Sequence, residues 1–163
     1  MHASASHSLE LAPDRANIEF NLQQQARMVK ALRGVLARRQ RTTVLQIETH
    51  ISFVLVDGEH AYKVKKALRT PFLDQSRLAL RQQACAEELR LNRRLAPELY
   101  LAVVPITGTA SAPEIGGQGA TIDCAVQMPS GSAPMSNASA WRVWGLSIAA
   151  ARKPARPVSM ATR

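Results

Sequence analysis

The stretch "ISFVLVDGEHAYKVKK", residues 51–66, carries the clearest structural signal in this chain. An apolar run leads to Asp57-Gly58, a dipeptide that favours a tight turn, and a second run returns from it, so the pattern predicts a β-hairpin. Side chains alternate along a strand, which places Lys63 and Lys65 on one face and Lys66 on the other. A lysine that faces a core is costly without an acidic partner. The sequence should therefore supply a carboxylate elsewhere.

The composition indicates a globular protein of the cytoplasm. Of 163 residues, 46% are hydrophobic and the formal net charge is +9. No apolar run is long enough to cross a membrane, and the N-terminal residues lack the pattern of a secretory signal. Cys85 and Cys124 are far apart and belong to no CxxC pair. Their spacing favours reduced thiols over a disulfide framework or a zinc site, and no metal site is predicted.

Periodicity divides the chain into three parts. Residues 1–20 are predicted to form a flexible arm, and residues 21–128 an ordered lobe. Residues 129–163 are rich in Ser, Ala and Pro and contain five basic residues and no acidic one, which predicts a disordered, low-complexity basic tail. Within the lobe, we expect helices near 21–39 and 76–96, and strands near 43–48, 51–56, 60–66, 101–107 and 121–128. An α+β fold follows, with an antiparallel sheet, a packed helix and an additional N-terminal helix.

The second predicted helix supplies the acid that the lysines require. With a step of about 100° per residue, Leu80, Ala84, Leu91 and Leu95 form one apolar arc, and Leu78, Cys85 and Leu89 form another. Glu88 falls between them and is predicted to face the sheet, whereas Glu87 falls on the arginine-rich side. A Glu88 pair with a strand lysine could simply orient the helix, or Glu88 could reach solvent between the two arcs. In a third interpretation, Glu88 holds a lysine that contacts the phosphates of a nucleotide.

Three segments carry a resemblance to a known family. They are "IETHISFVLVDGEHAYKVKKAL" (47–68), "FLDQSRLALRQQACAEELRLNRRLAPELYLAVVPITG" (72–108) and "IDCAVQM" (122–128). Their order is that of a protein-kinase-like N-terminal lobe. Their amino-acid sequences are similar to the N-terminal part of the bacterial aminoglycoside-phosphotransferase-like proteins, whose longer members continue into a P-loop ATPase domain. The resemblance covers about residues 27–128 and implies a lobe that binds ATP.

The resemblance assigns roles position by position. Lys63 matches the phosphate-binding lysine of kinases, with Lys65 as the alternative, and Glu88 matches the glutamate that orients this lysine. "ETHIS", residues 48–52, takes the place of the phosphate-covering loop, where the Thr49 and Ser52 hydroxyls and backbone N–H groups would replace the usual glycines. Met128 matches the strand that leads to the adenine-binding hinge.

Catalytic residues are absent from this assignment. The sequence contains no "HGD" or "HRD" motif, no Asp or Glu after Asp123 and no GxxxxGK[ST] loop. We therefore expect an inactive fragment of a phosphotransferase, truncated or frame-shifted after about residue 128. It would bind ATP weakly if at all and hold no magnesium. A missing C-terminal lobe or an intact relative would be its natural partner.

Two other functions stay open. The segment "RMVKALRGVLARRQR", residues 27–41, places Met28, Leu32, Val35 and Leu36 on one helical face, with basic residues mostly around it. This pattern is most typical of a solvent-exposed face on an amphipathic helix, with phosphate or membrane binding as the alternative. Together with the basic tail, the helix could also belong to a small nucleic-acid-binding protein, although no sequence-specific recognition is expected. The chain could also be a regulatory pseudo-kinase fragment.

Overall fold

The computed structural model of the protein describes residues 20–130. The predictions made for residues 1–19 and 131–163 lie outside them. The first helix, α1, spans Leu22–Gln40. Asn21 caps its N-terminus by accepting from the Gln24 N–H, and the Gln24 side chain accepts in turn from the Asn21 N–H. The helix ends at Arg41, which adopts a left-handed conformation with φ 51°.

Antiparallel pairing joins six strands into one sheet in the order β1-β2-β3-β8-β6-β7. Their bounds are Leu45–Glu48 for β1, Ser52–Val56 for β2, His60–Lys65 for β3, Ala102–Gly108 for β6, Pro113–Ile115 for β7 and Thr121–Pro129 for β8. Two shorter strands, Arg69–Thr70 (β4) and Leu73–Asp74 (β5), form a separate hairpin. The second helix, α2, spans Leu78–Asn92.

The β2–β3 hairpin forms as its sequence predicts. Val54 pairs with Lys63 and Ser52 with Lys65. In the turn, Asp57 Oδ1 accepts from the N–H groups of Glu59 and His60, and Gly58 has a φ of 98°, a conformation that a side chain would strain. The short polar side chain and the glycine together fix the turn and hence the register of β3.

The two helices cover opposite faces of the sheet. On one face, which we call the α1 face, Met28, Leu32 and Leu36 pack against Phe53 and Val64 in one buried cluster. On the other, the α2 face, Cys85 packs in a second cluster that includes Val54, Ala61 and Val126. Because alternate residues of each strand enter different clusters, the central strands are buried on both sides, and β2 is buried along its whole length.

Several boundaries differ from the sequence-based expectation. α2 ends at Asn92 rather than near residue 96. Pro97 disfavours helical conformation in the residue before it, and the Arg93 guanidinium bonds the carbonyl groups of Tyr100 and Leu101 as the chain turns back. Two segments for which no element was predicted contain short strands: the segment between β3 and α2 contains the β4–β5 hairpin, and the segment between β6 and β8 contains β7. Such short strands have no periodicity to reveal them.

The α+β class is confirmed, with one antiparallel sheet and two helices among the described residues. Neither of these helices combines the length and the apolar character needed to cross a bilayer.

Candidate functional site

Lysine side chains enter the α2 face because of the register of β3. Lys63 lies opposite Val54 of β2 and Val126 of β8, two residues of the α2-face cluster. Lys65 lies two residues further along and therefore on the same face. Both side chains are mostly buried, with 14% of Lys63 and 8% of Lys65 exposed. Two ammonium groups so placed require an acid.

Glu88 of α2 is that acid, and it binds both lysines. Lys63 Nζ lies 2.9 Å from Glu88 Oε1, and Lys65 Nζ lies 2.5 Å from Glu88 Oε2. Only 12% of the Glu88 side chain is exposed. Each carboxylate oxygen therefore accepts from a different lysine, and the predicted contact between Glu88 and a strand lysine is present. Glu87 points outward and pairs with Arg90 on the surface, as its helical position predicts.

The electrostatic balance of this cluster favours a charged Glu88. Burial raises the pKa of its carboxyl group, but the nearby ammonium groups of Lys63 and Lys65 lower it more, so the net pKa lies below the ordinary value. Burial and the negative charge of Glu88 raise the pKa of the neighbouring Tyr100 phenol. We call Lys63, Lys65 and Glu88 the lysine–glutamate cluster.

Lys66 belongs to the other face. Its Nζ lies 2.7 Å from Glu48 Oε1 and 4.9 Å from the centre of the Phe53 ring, which is part of the α1-face cluster. Glu48 is largely exposed. The third lysine of the "KVKK" run is therefore in a separate ion pair, and it offers a natural control for experiments on the other two.

The β1–β2 turn, predicted as the phosphate-covering loop, is closed by its own hydroxyl. Thr49 Oγ1 accepts from the Ser52 N–H at 3.0 Å and donates to the Ser52 carbonyl at 3.2 Å. Ser52 is fully buried, and its own hydroxyl has no hydrogen-bond partner among the described residues. Since Ser52 is the β2 partner of Lys65, this turn lies at the Lys65 end of the lysine–glutamate cluster.

Met128 lies at the far end of β3 from this turn. It pairs with Ala61, and its side chain is buried in the α2-face cluster. The structure thus places Lys63, Lys65, Glu88 and Met128 on one side of the sheet, with the β1–β2 turn at the end beside Lys65. Two ammonium groups therefore lie in a site that is mostly shielded from water, next to an apolar surface.

A second buried charge pair, which was not predicted from the sequence, lies beside this cluster. Arg81 and Asp123 are both fully buried, with Arg81 Nε 3.0 Å from Asp123 Oδ1. Gln25 of α1 donates to Asp123 Oδ2 at 2.7 Å and to the Lys65 carbonyl at 2.8 Å, so α1, β3, β8 and α2 meet in one network. Two signals could have revealed it. Asp123 interrupts an apolar strand, and Arg81 lies seven residues before Glu88, which is the same side of a helix.

The helix-wheel prediction for α2 is only partly right. Leu78 and Cys85 of one arc are buried, but Leu91 and Leu95 of the other are 45% and 88% exposed. The side that faces the sheet carries Arg81, Cys85 and Glu88, with two charges among them. A hydrophobicity pattern places such a face poorly, because the charges are buried only with the aid of partners on distant strands.

The two cysteines, distant in sequence, are in contact. Their sulfur atoms lie 3.6 Å apart in the α2-face cluster, and both are free thiols. The hydrogen bond with Cys85 and burial raise the pKa of the Cys124 thiol, which therefore stays protonated. Among residues 20–130, no three His, Cys, Asp or Glu side chains cluster in a way that could hold a metal ion.

Comparisons with known proteins add a partial likeness. Proteins from Mycobacterium bovis and from two strains of Mycobacterium tuberculosis, each called only an uncharacterized protein, are 38% identical to this chain over 60 residues. The aligned segment is 37% of this chain and spans only 12% of the length of those relatives. No family model and no solved structure matches the sequence.

Proposed function

We propose that residues 21–128 are the nucleotide-binding lobe of a kinase-like protein of the aminoglycoside-phosphotransferase-like type. In this lobe Lys63 of β3, positioned by Glu88 of α2, contacts the phosphates of ATP. The observation that carries the proposal is the lysine–glutamate cluster. Kinases position the phosphates of ATP with a strand lysine that is bonded to a glutamate of the helix packed on the same face of the sheet.

The donor capacity of the lysines supports the proposal. An ammonium group has three N–H donors, and the bond to Glu88 uses one in each lysine. The remaining donors are directed by a side chain that is already ordered, so less rotamer entropy is lost when an anion binds. Lys63 is the more exposed of the two, which favours it over Lys65 as the phosphate contact.

The other assigned positions have more limited roles in the proposal. The Thr49 hydroxyl closes its own turn, and the N–H groups of Thr49, Ile51 and Ser52 donate within that turn, so the His50 N–H is the donor that this loop would offer to a phosphate oxygen. The Met128 side chain is buried. In this proposal it therefore supports the sheet beneath the base and makes no polar contact to adenine.

The proposed activity is nucleotide binding and not phosphoryl transfer. Transfer by this type of lobe requires an aspartate base and acidic or amide ligands for magnesium, and the sequence lacks the motif that would supply them. A C-terminal lobe or an intact relative would have to contribute these groups, which makes such a polypeptide the proposed partner.

Isothermal titration calorimetry of the full chain with ATP, with and without Mg²⁺, tests the proposal. We expect weak binding that differs little between the two conditions, because the lobe has no metal ligands of its own. Lys63→Met should abolish the binding heat, and Lys66→Met should preserve it, since Lys66 lies on the opposite face. Lys65→Met then shows whether the second lysine also contacts phosphate.

Two results would overturn the proposal. One is an absence of binding by a wild-type chain that is folded by circular dichroism. The other is an equal loss of binding in the Lys63 and Lys66 variants, which would indicate a general effect of charge.

A further inference from the structure

The outer surface of α1 is basic from Arg27 to Arg39. Between Glu19 and Glu48 the sequence has no acidic residue, and α1 itself carries five basic residues, at positions 27, 30, 33, 38 and 39. All five are exposed. Among residues 20–130 none of them forms an ion pair with a carboxylate. Within the described part of the chain, this strip of positive charge has no directly bonded carboxylate, and it lies on the side of the lobe opposite the lysine–glutamate cluster.

Part of this strip is concave. A groove of about 430 Å³ runs between α1 and the loop that joins β6 to β7. Its lining residues are Arg27, Lys30, Ala31, Gly34, Arg38 and Ser111. We call it the α1 groove. Three of the lining residues are small and three are cations.

Helix stability alone does not account for these cations. Arg38 lies in the last turn, where a positive charge interacts favourably with the helix dipole, but Arg27 and Lys30 are too far from that end to benefit. Arg27, Lys30 and Arg33 follow one another at intervals of three residues, a spacing at which like charges repel. An anion bound along the groove would remove this repulsion.

Gly34 is a second feature that helix stability does not explain. Glycine within a helix costs about 1 kcal/mol relative to alanine. A Cβ atom at this position would come within 3.4 Å of Arg38 Nη1, so the guanidinium group lies directly over the glycine. The missing side chain keeps the floor of the groove low and lets Arg38 lie along it.

The geometry points to the phosphodiester backbone of a nucleic acid as the occupant, held without reading of base sequence. Arg27 and Arg38 are eleven residues apart, or about 16 Å along the helix, a length that covers roughly four or five phosphates of one strand. Arginine is suited to this ligand because its planar guanidinium group can bond two phosphate oxygens at once. No aromatic residue lines the groove, so bases have no stacking surface there.

A membrane fits the same surface less well. A helix that lies on a bilayer inserts an apolar face, and the apolar face of α1, formed by Met28, Val29, Leu32 and Leu36, is buried against the sheet. Only electrostatic attraction would remain for anionic lipid.

Fluorescence anisotropy with the full chain tests the inference, using a labelled 20-bp DNA duplex and a labelled 20-nucleotide RNA, each in two unrelated sequences. We expect binding to at least one of the two, equal for both sequences and steeply weakened by salt. Arg27→Glu/Arg38→Glu should weaken binding by about tenfold or more at low salt and reduce the salt slope by roughly two phosphate contacts. Gly34→Leu should also weaken binding, at unchanged net charge, because its side chain fills the groove.

The matched control is Arg90→Glu/Arg94→Glu, which makes the same charge change at exposed positions of α2 and of the turn that follows it. It should leave the affinity within about twofold of wild type if the contact is local to the α1 groove. Circular dichroism confirms that each variant is folded. An equal loss in both double variants, or no binding of either nucleic acid, overturns the inference. So does binding to phosphatidylserine vesicles or polyglutamate that equals or exceeds binding to the oligonucleotides.

Discussion

The two faces of the sheet bury different chemistry. On the α1 face, the helix contributes Met28, Val29, Leu32 and Leu36 to the core, and its charges remain outside. On the α2 face, the buried residues of the helix are Leu78, Arg81 and Cys85, and the half-buried Glu88 lies beside them. One helix docks by apolar packing and the other largely by ion pairs with residues of β3 and β8.

This difference matters for both stability and function. Apolar packing gains free energy from each methylene that leaves water, and it tolerates small shifts. A buried ion pair offers little net stability over an apolar pair, but removal of one partner is severe because a charge is then left alone. Ion pairs fix the position of α2 relative to β3, which is the property that a phosphate-binding lysine requires.

The largest loss of stability is expected when the fully buried cation of the α2 face is removed. Arg81→Met should lower the free energy of unfolding by about 3–5 kcal/mol, because the Asp123 carboxyl group would stay buried without its arginine partner. Arg90→Met, at an exposed position of the same helix, should cost less than about 0.5 kcal/mol. Urea denaturation followed by circular dichroism measures both. Similar costs at the two positions would show that the Arg81–Asp123 pair does not hold the helix.

The next largest effect concerns the lysine–glutamate cluster. Glu88→Ala should destabilise the lobe by about 2–4 kcal/mol, since two mostly buried ammonium groups then lose their common acceptor. Glu87→Ala should cost less than about 0.5 kcal/mol as a surface change. A denaturant series decides between them. If Glu87 proves the costly position, the register of α2 described here is wrong.

The pH dependence of stability tests how much the charge of the Glu88 carboxylate contributes to the fold. Its pKa in the folded protein lies below the ordinary value of 4.5, so its charge stabilises the fold above pH 4.5 and this contribution disappears as pH falls through the folded pKa. The stability difference between the wild type and Glu88→Gln should therefore be constant near neutral pH and shrink below pH 4.5. Urea midpoints of both proteins between pH 7 and pH 3 measure it. A difference that does not change with pH would mean that the carboxylate charge contributes nothing.

The smallest effect is expected when the α2 face is made to resemble the α1 face. The triple change Lys63→Met/Lys65→Met/Glu88→Met removes every charge of the cluster together. Its stability should stay within about 1 kcal/mol of wild type, because apolar side chains of similar length can replace buried ion pairs at little cost. Thermal melting compares it with Glu88→Ala, which should be clearly less stable. A triple variant as unstable as Glu88→Ala would show that packing, and not an unpaired charge, limits this face.

The α1 face could be predicted from the sequence more fully than the α2 face. The α1 helix could be placed from its sequence because apolar residues recur at helical spacing, and three of the four assigned to one face, Met28, Leu32 and Leu36, are buried. Val35, assigned to the same face, is only partly buried. The lysine–glutamate contact could be predicted because a strand lysine that faces the core is costly unless a carboxylate on the same side of the sheet pairs with it. The Arg81–Asp123 pair was missed because its partners lie 42 residues apart and no local pattern links them.

The sequence by itself determined the β2–β3 hairpin, the two main helices, the α+β class and the residue that answers Lys63 and Lys65. These depend on local periodicity, on turn chemistry at Asp57-Gly58 and on the cost of a buried charge. Only the tertiary structure decided that Glu88 serves both lysines, that Arg81 and Gln25 meet at Asp123, and that Cys85 touches Cys124. Each of these contacts joins residues more than 20 positions apart, and their distance depends on how helices and strands pack, which no local pattern records.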